Sequence, residues 1–331
     1  MKARILLISL WLALSLFGGA GAQDAFAQNE LLARTLNFGN ALEAPSEGKW
    51  GLYLAESDFE TVKKAGFSAI RLPVSWSSHA DLAAPYTIDE SFFERIDWAV
   101  ENALSRDLAL ILDMHNFEAL LLNPASQKER FLELWRQIAE HYRDAPPQLM
   151  FELLNEPNGA LNEVWNDYLA AALAVVRESN PTRTVIVGPT HWNGIDDLAG
   201  LELPDDPNLI VTVHNYEPFH FTHQGAGWVA GGSDWLGTTW DGTPKEVAAV
   251  QDRLDRAAAW GEAHGRPLFM GEFGAYSKAA LAARARWTRA VREAAEARGV
   301  SWGYWEYASG FGLYNRGNKR WTEELLSALL N

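Results

Sequence analysis

The sequence predicts a single (β/α)8 barrel. Two observations carry this prediction: eight short apolar runs recur along the chain, and amphipathic helical segments separate most of them. A third is where the polar residues fall. Most apolar runs end directly in a polar or aromatic cluster, as strands do where they enter the βα loops of such a barrel. Near-continuous apolar strands imply a parallel sheet buried on both faces. Eight of them in about 300 residues suit a closed barrel better than an open sheet.

In order, the strands are expected at 35–40, 68–74 (SAIRLPV), 107–115 (DLALILDMH), 149–156 (LMFELLNE), 183–189, 208–216 (NLIVTVHNY), 267–274 (PLFMGEFG) and 300–307 (VSWGYWEY). Helical periodicity marks 58–65, 90–106, 127–143, 162–179, 244–264 and 278–298, and 320–330 closes the chain. The Gly-rich stretch 224–243 is expected as a long loop after the sixth strand. No linker, low-complexity tract or internal repeat divides the chain after its N-terminus.

The N-terminus is different. Lys2 and Arg4 precede an apolar run from Ile5 to Phe17, and small residues follow up to Ala22. This is the pattern of a secretory signal peptide over 1–22, with a second cleavage motif at Ala25-Phe26-Ala27 that would put the cut as late as 27. The barrel then occupies 23–331, and the expected location is the periplasm or the medium. The apolar run is short for a membrane span, and none follows it. The chain has no cysteine, which excludes disulfides, Cys-ligated metals and cysteine nucleophiles. Its net charge of −15 repels nucleic acid and anionic membranes and suits a neutral substrate. The expectation is a monomer without cofactor or metal.

The strand ends hold the candidate chemistry. Arg71 lies in the second strand. Asp113, His115 and Asn116 end the third, Asn155-Glu156-Pro157 the fourth, and His214-Asn215-Tyr216 the sixth. Gly271-Glu272-Phe273-Gly274 ends the seventh, and Trp305-Glu306 the eighth. Glu156 and Glu272 are far apart in sequence, yet barrel closure can bring them face to face. Glycoside hydrolysis with retention needs such a pair, about 5–5.5 Å apart, one protonated and one ionised. Arg71, His214 and Tyr216 are placed to tune the pair, Asn155 to meet a sugar 2-hydroxyl, and Trp305 to offer a flat apolar face to a sugar ring.

These motifs resemble glycoside hydrolase family 5, the large cellulase family of clan A. Leu154-Asn155-Glu156-Pro157 resembles its acid/base signature and Gly271-Glu272-Phe273-Gly274 its nucleophile strand. Arg71-Leu72-Pro73, His115, His214-Asn215-Tyr216 and Trp305 match its other active-site positions in order. The resemblance covers roughly 36–330. It implies Glu156 as general acid/base, Glu272 as nucleophile, and Arg71, His115, Asn155, His214 and Tyr216 as supporting residues.

A closer likeness is to bacterial endo-β-1,4-glucanases of the family, some of which also accept mannan. It rests on the stretch from Asn37 to Pro45, on 219–228 and on 305–312. It implies that Asn40, Glu43, Trp228, Trp305 and Glu306 bind substrate. Relatives often carry a His or an aromatic where this chain has Asn116, another expected substrate contact, so the glucan or mannan preference stays open. The partner implied is a β-linked polysaccharide or oligosaccharide.

Two other classes share some of these residues. A metallohydrolase barrel could use Asp113, His115, His191 and His214, but strand one lacks the H-x-H many such barrels use. A non-catalytic sugar-binding barrel would be expected to lack one of the two glutamates.

Overall fold

The computed structural model describes residues 24–331. The signal-peptide expectation for 1–22 therefore lies outside the described residues. Eight parallel strands close a barrel in chain order: β1 (Thr35–Asn37), β2 (Ala69–Val74), β3 (Ala109–Met114), β4 (Leu149–Glu152), β5 (Val185–Val187), β6 (Leu209–His214), β7 (Leu268–Phe273) and β8 (Ser301–Tyr304). β8 closes on β1 through Thr35↔Gly303 and Leu36↔Tyr304. The fold is the expected (β/α)8 barrel.

All eight strands are buried throughout, because helices cover the outside and side chains fill the inside. Strand alternation divides the core in two. Leu110, Leu112, Phe151, Val185, Val211 and Met270 join the layer under the helices. Ala69, Ala109, Ile111, Met150, Ile186, Ile210 and Phe269 form a separate apolar cluster. Ala25 and Leu32 join that cluster from the helix Ala25–Leu31 and its end. Asn29 of this helix ties it to two strands. Its amide donates to the Leu268 carbonyl at 3.1 Å and its Oδ1 accepts from Ser301 Oγ at 2.6 Å. A short N-terminal helix thus plugs one end of the barrel.

Above the apolar layer the inward positions become polar: Asn37, Arg71, Asp113, Glu152, Thr212 and His214, each two residues beyond an inward residue or its neighbour in register. β7 departs from the alternation. Val213 pairs with Met270 but His214 pairs with Glu272, so a bulge falls at Gly271. A Cβ on Gly271 would stand 2.6 Å from Thr212 Oγ1 and 3.2 Å from His214 Nε2, so this position also faces inward. The extra residue re-aims Glu272 into the barrel mouth, which simple alternation would have denied it.

Several boundaries differ from expectation. β4 ends at Glu152, four residues before Glu156, because Leu153 and Leu154 both turn into the outer core and break the alternation. Glu156 sits beyond the strand with φ 49°. The last helix starts at Glu323, not Arg320. Arg320–Trp321 instead pairs antiparallel with Tyr314–Asn315, and the Trp321 ring packs on Tyr314 at 4.9 Å. The helix Pro244–His264 has the expected bounds, since Thr243 and Glu246 form a capping box and Gly265 ends it.

Candidate active site

Arg71 is the hub of the barrel mouth. It is fully buried. Its Nε and Nη2 fork onto Glu152 at 2.7 and 2.9 Å. Nη1 donates to Glu272 Oε1 at 2.8 Å and to Asn37 Oδ1 at 3.0 Å. Nη2 also reaches Asn155 Oδ1 at 2.9 Å and stands 3.0 Å from Asp113. Three carboxyl groups thus share one guanidinium away from water. Burial pushes Asp113 up to about 7 and raises Glu152, against the pull of Arg71 in both cases.

Glu272 also accepts from the Tyr216 hydroxyl at 2.7 Å. Burial and the facing carboxylates hold that phenol far above its ordinary range, so it remains a donor. Glu156 is bonded to His214 Nδ1 at 2.8 Å, and that nitrogen lies 3.7 Å from Glu272. Asn193 Nδ2 lies 3.3 Å from His214 Nε2, which casts Nε2 as acceptor and Nδ1 as the protonated nitrogen. Burial lowers His214 to about 4, so it is neutral at working pH. Glu156, about a quarter exposed, is pushed up to about 7 by desolvation, despite the opposing pull of His115 and Arg71.

One donor atom each of Glu156, His214 and Glu272 lie within 4.8 Å of one another. The two carboxyl groups therefore approach each other across the barrel mouth. The trio could also be read as a cation site. Against this, the Arg71 guanidinium already lies on Glu272, and a positive charge there disfavours a second. The metal set considered from sequence does not assemble, because His191 is exposed and pairs with Asp197 at 3.0 Å.

His115 Nδ1 meets Asp113 at 2.6 Å, and burial lowers the imidazole to about 4. Its ring lies parallel to Trp305, with centroids 5.4 Å apart and an interplanar angle of 8°. Gly39 makes room for the indole, since a Cβ there would stand 2.7 Å from its Cη2. Trp305 remains partly exposed.

The outer residues divide. Trp228 is 63% exposed, its ring edge-on to Tyr276 at 4.9 Å. Asn116 lines the groove, and its amide donates to the Glu43 carbonyl at 2.9 Å. Glu43 is nearly buried and accepts from the Asn40 and Ala41 backbone N–H groups. Asn40 itself has φ 66° and is partly exposed. Glu306 is wholly buried, accepting from the Ser309 and Phe311 N–H groups at 2.9 and 3.0 Å. Desolvation pushes Glu43 up to about 7 and Glu306 up to about 8. The Glu306 carboxyl group organises the loop after β8.

Sequence reasoning missed Glu152, Asn37 and Asn193 and considered Asp113 only as a metal ligand. The signal for Glu152 was present as an acid inside the apolar run Leu149–Glu152. Asn193 carried none, because it reaches His214 through a left-handed turn in which His191, Trp192 and Asn193 all have positive φ.

A closed barrel with two facing carboxyl groups in its mouth, one beside Arg and Tyr and one beside a neutral His, defines the barrel glycosidase class. The family model for cellulase (glycosyl hydrolase family 5) matches residues 36–310, and the chain belongs to that family. Endoglucanase H of Acetivibrio thermocellus is 34% identical over 317 residues, which is 94% of this chain and 34% of that protein. The chain thus spans about a third of that relative's length. Thermotoga maritima Cel5A is 45% identical with a TM-score of 0.91 over 93% of this chain and 100% of that chain, in structures with cellobiose and with mannotriose. The cellulose synthase subunit Z of Clostridioides difficile is 40% identical with a TM-score of 0.88, over 90% of this chain and 99% of that one.

Proposed function

We propose that this chain is a retaining endo-β-1,4-glucanase acting by double displacement. Glu272 attacks the anomeric carbon while Glu156 gives its proton to the departing glycosidic oxygen. The C–O bond breaks as the ester to Glu272 forms, and the aglycone leaves as an alcohol. Glu156, now a carboxylate, takes a proton from water. The resulting hydroxide equivalent attacks the same carbon, and Glu272 departs as a carboxylate.

The facing of Glu156 and Glu272 within 4.8 Å carries this proposal. Their surroundings support the division of labour. Glu156, pushed up to about 7, holds a proton to give below neutrality. Glu272 faces two donors, Arg71 and Tyr216, as an attacking carboxylate requires. Asn155 spends its Oδ1 on Arg71, which leaves its amide N–H groups for a sugar 2-hydroxyl. Trp305 supplies an apolar face.

Similarity to Endoglucanase H and to a hyperthermophilic endo-β-1,4-glucanase supports β-1,4-glucan as substrate, and the mannotriose complex of Cel5A keeps mannan second. Asn116 has its amide engaged on Glu43 and offers Oδ1 to a substrate hydroxyl. Removal of a signal peptide over 1–22 and export complete the proposal.

The test resolves products from carboxymethyl-cellulose, mixed-linkage glucan, glucomannan, galactomannan and xylan, with the first-formed anomer followed by NMR. Internal cleavage of β-1,4-glucan with retained configuration is expected. Glu272→Ala should abolish turnover, and azide should restore part of it as a glycosyl azide of inverted configuration. Undiminished hydrolysis by this variant would refute the mechanism.

A further inference from the structure

The turn between β1 and the helix Glu56–Ala65 presents an indole that the fold itself does not use. Trp50 is 46% exposed, yet the turn beneath it is closely built. Gly48 N–H donates to the Leu52 carbonyl, Lys49 N–H to Ser46, and Gly51 N–H to Gly48, all at 3.0 Å. Gly48 and Gly51 have φ of 84° and 93°, a region side chains avoid, so the turn on either side of Trp50 depends on glycine. Leu52 and Leu54 anchor the turn in the core. Arg95 forks onto Glu47 with both bonds at 2.8 Å and also binds the Leu54 carbonyl at 2.8 Å. A bidentate, partly buried ion pair thus braces a turn whose tip is an exposed aromatic ring.

The ring is not isolated from the chemistry. One groove of about 620 Å³ is lined by Trp50 and also by His115, Asn155 and Glu156. Its wall also carries Ser77, Ser78 and Asn116. These groups are already fixed: Ser77 Oγ donates to the Asn116 carbonyl at 2.8 Å, and Ser75 Oγ lies 2.7 Å from Ser78 Oγ. The groove thus offers small polar groups and one exposed aromatic ring in the same cleft as Glu156. A pyranose ring of a long chain matches this pattern, with hydroxyls around its edge and C–H bonds on its face.

We infer that Trp50 is the stacking platform of a distal sugar subsite, selecting β-linked chains long enough to reach from the catalytic pair to the β1 turn. This inference rests on the proposed glycosidase function. A distal ring held there adds binding energy that only a long substrate can use, so its effect is graded by chain length.

The test compares wild type, Trp50→Ala and Trp50→Phe on cello-oligosaccharides from trimer to hexamer, together with affinity electrophoresis in gels containing soluble β-1,4-glucan. For Trp50→Ala, kcat/KM on the hexamer should fall about tenfold, with the loss shrinking steadily as the substrate shortens. Trp50→Phe keeps a ring and should recover most of the loss. Trp50→Ala should also be retarded less in the glucan gel, a readout that needs no turnover. A loss equal at all chain lengths would mark Trp50 as structural and overturn the inference, as would no loss at any length. Gel retardation that depends on Trp50 in a wild-type protein without hydrolysis would instead leave this subsite standing and remove the glycosidase proposal.

Discussion

Arg71 holds Glu272 at 2.8 Å with one guanidinium nitrogen while the other edge of the same group is locked onto Glu152. The position of Glu272 is therefore set from the opposite side of the barrel. A rigid planar fork is needed, because the two carboxyl groups occupy different edges of one plane. Arg71→Lys keeps the charge but loses the fork. Its kcat/KM should fall about 10²–10³-fold, the scale of removing one preorganised donor. Retention of full activity would show that charge alone suffices. Arg71→Met leaves three buried carboxyl groups without a cation and should lower stability by about 3–5 kcal/mol, read by thermal or urea unfolding.

Glu156 is pushed up to about 7 by burial, so the alkaline limb of kcat/KM is expected near that value. Above it the proton needed by the leaving oxygen is gone. Glu156→Ala should slow polysaccharide cleavage by about 10²–10⁴-fold and aryl glycosides with good leaving groups far less. The variant should also lose the alkaline limb. An unchanged limb near pH 7 would assign that ionisation to another group.

Glu306 links the loop after β8 to pH. Its folded value of about 8 stands above the ordinary 4.5, so the folded chain keeps a proton that the unfolded chain has lost between those limits. Its contribution is fully present below pH 4.5 and lost as pH rises through 8. Glu43, at about 7, acts in the same direction. His115, His214 and His223, each lowered by burial from 6.5 to about 4, act oppositely, with their contribution present above 6.5 and lost on acidification toward 4. Above pH 6.5 the histidine contributions are complete, so stability should decline from there through pH 8 as Glu43 and Glu306 lose their protons. Glu306→Gln should flatten that decline in thermal unfolding scans. A slope identical to wild type would separate Glu306 from it.

The helix Ala25–Leu31 bears on where the proposed signal peptide would end. Asp24 caps it by accepting from Phe26 N–H at 3.0 Å, and Ala25 packs into the barrel plug. Cleavage after Ala22 keeps the cap and the whole plug, whereas cleavage after Ala27 removes the cap and Ala25 and leaves Asn29 and Leu32. Mass spectrometry of the exported protein should give Gln23 as the first residue. A chain engineered to begin at Gln28 should unfold at lower temperature, since losing such a cap costs about 1 kcal/mol before the packing is counted. Equal melting temperatures would show that the plug does not need these residues.

What the sequence determined by itself was periodicity and local chemistry. Alternating apolar strands and amphipathic helices dictate a barrel, because each must bury its apolar face against the other. Local caps placed Pro244–His264 to the residue. The strand-end polar residues named Arg71, Glu156, His214, Tyr216 and Glu272 as one site. Tertiary structure alone decided how those residues face. Alternation from Phe269 would have sent Glu272 toward the helices, and the bulge against His214 turns it inward. Two consecutive outward leucines carry the chain past Glu152 before Glu156 returns to the mouth. The partners of Glu152 and Glu306 likewise emerge only in the fold, where the first is braced on Arg71 and the second accepts from backbone N–H groups. The physical reason is the same in each case. Periodicity is a property of a strand, whereas bulges, shared guanidinium bonds and desolvation arise only between strands brought together.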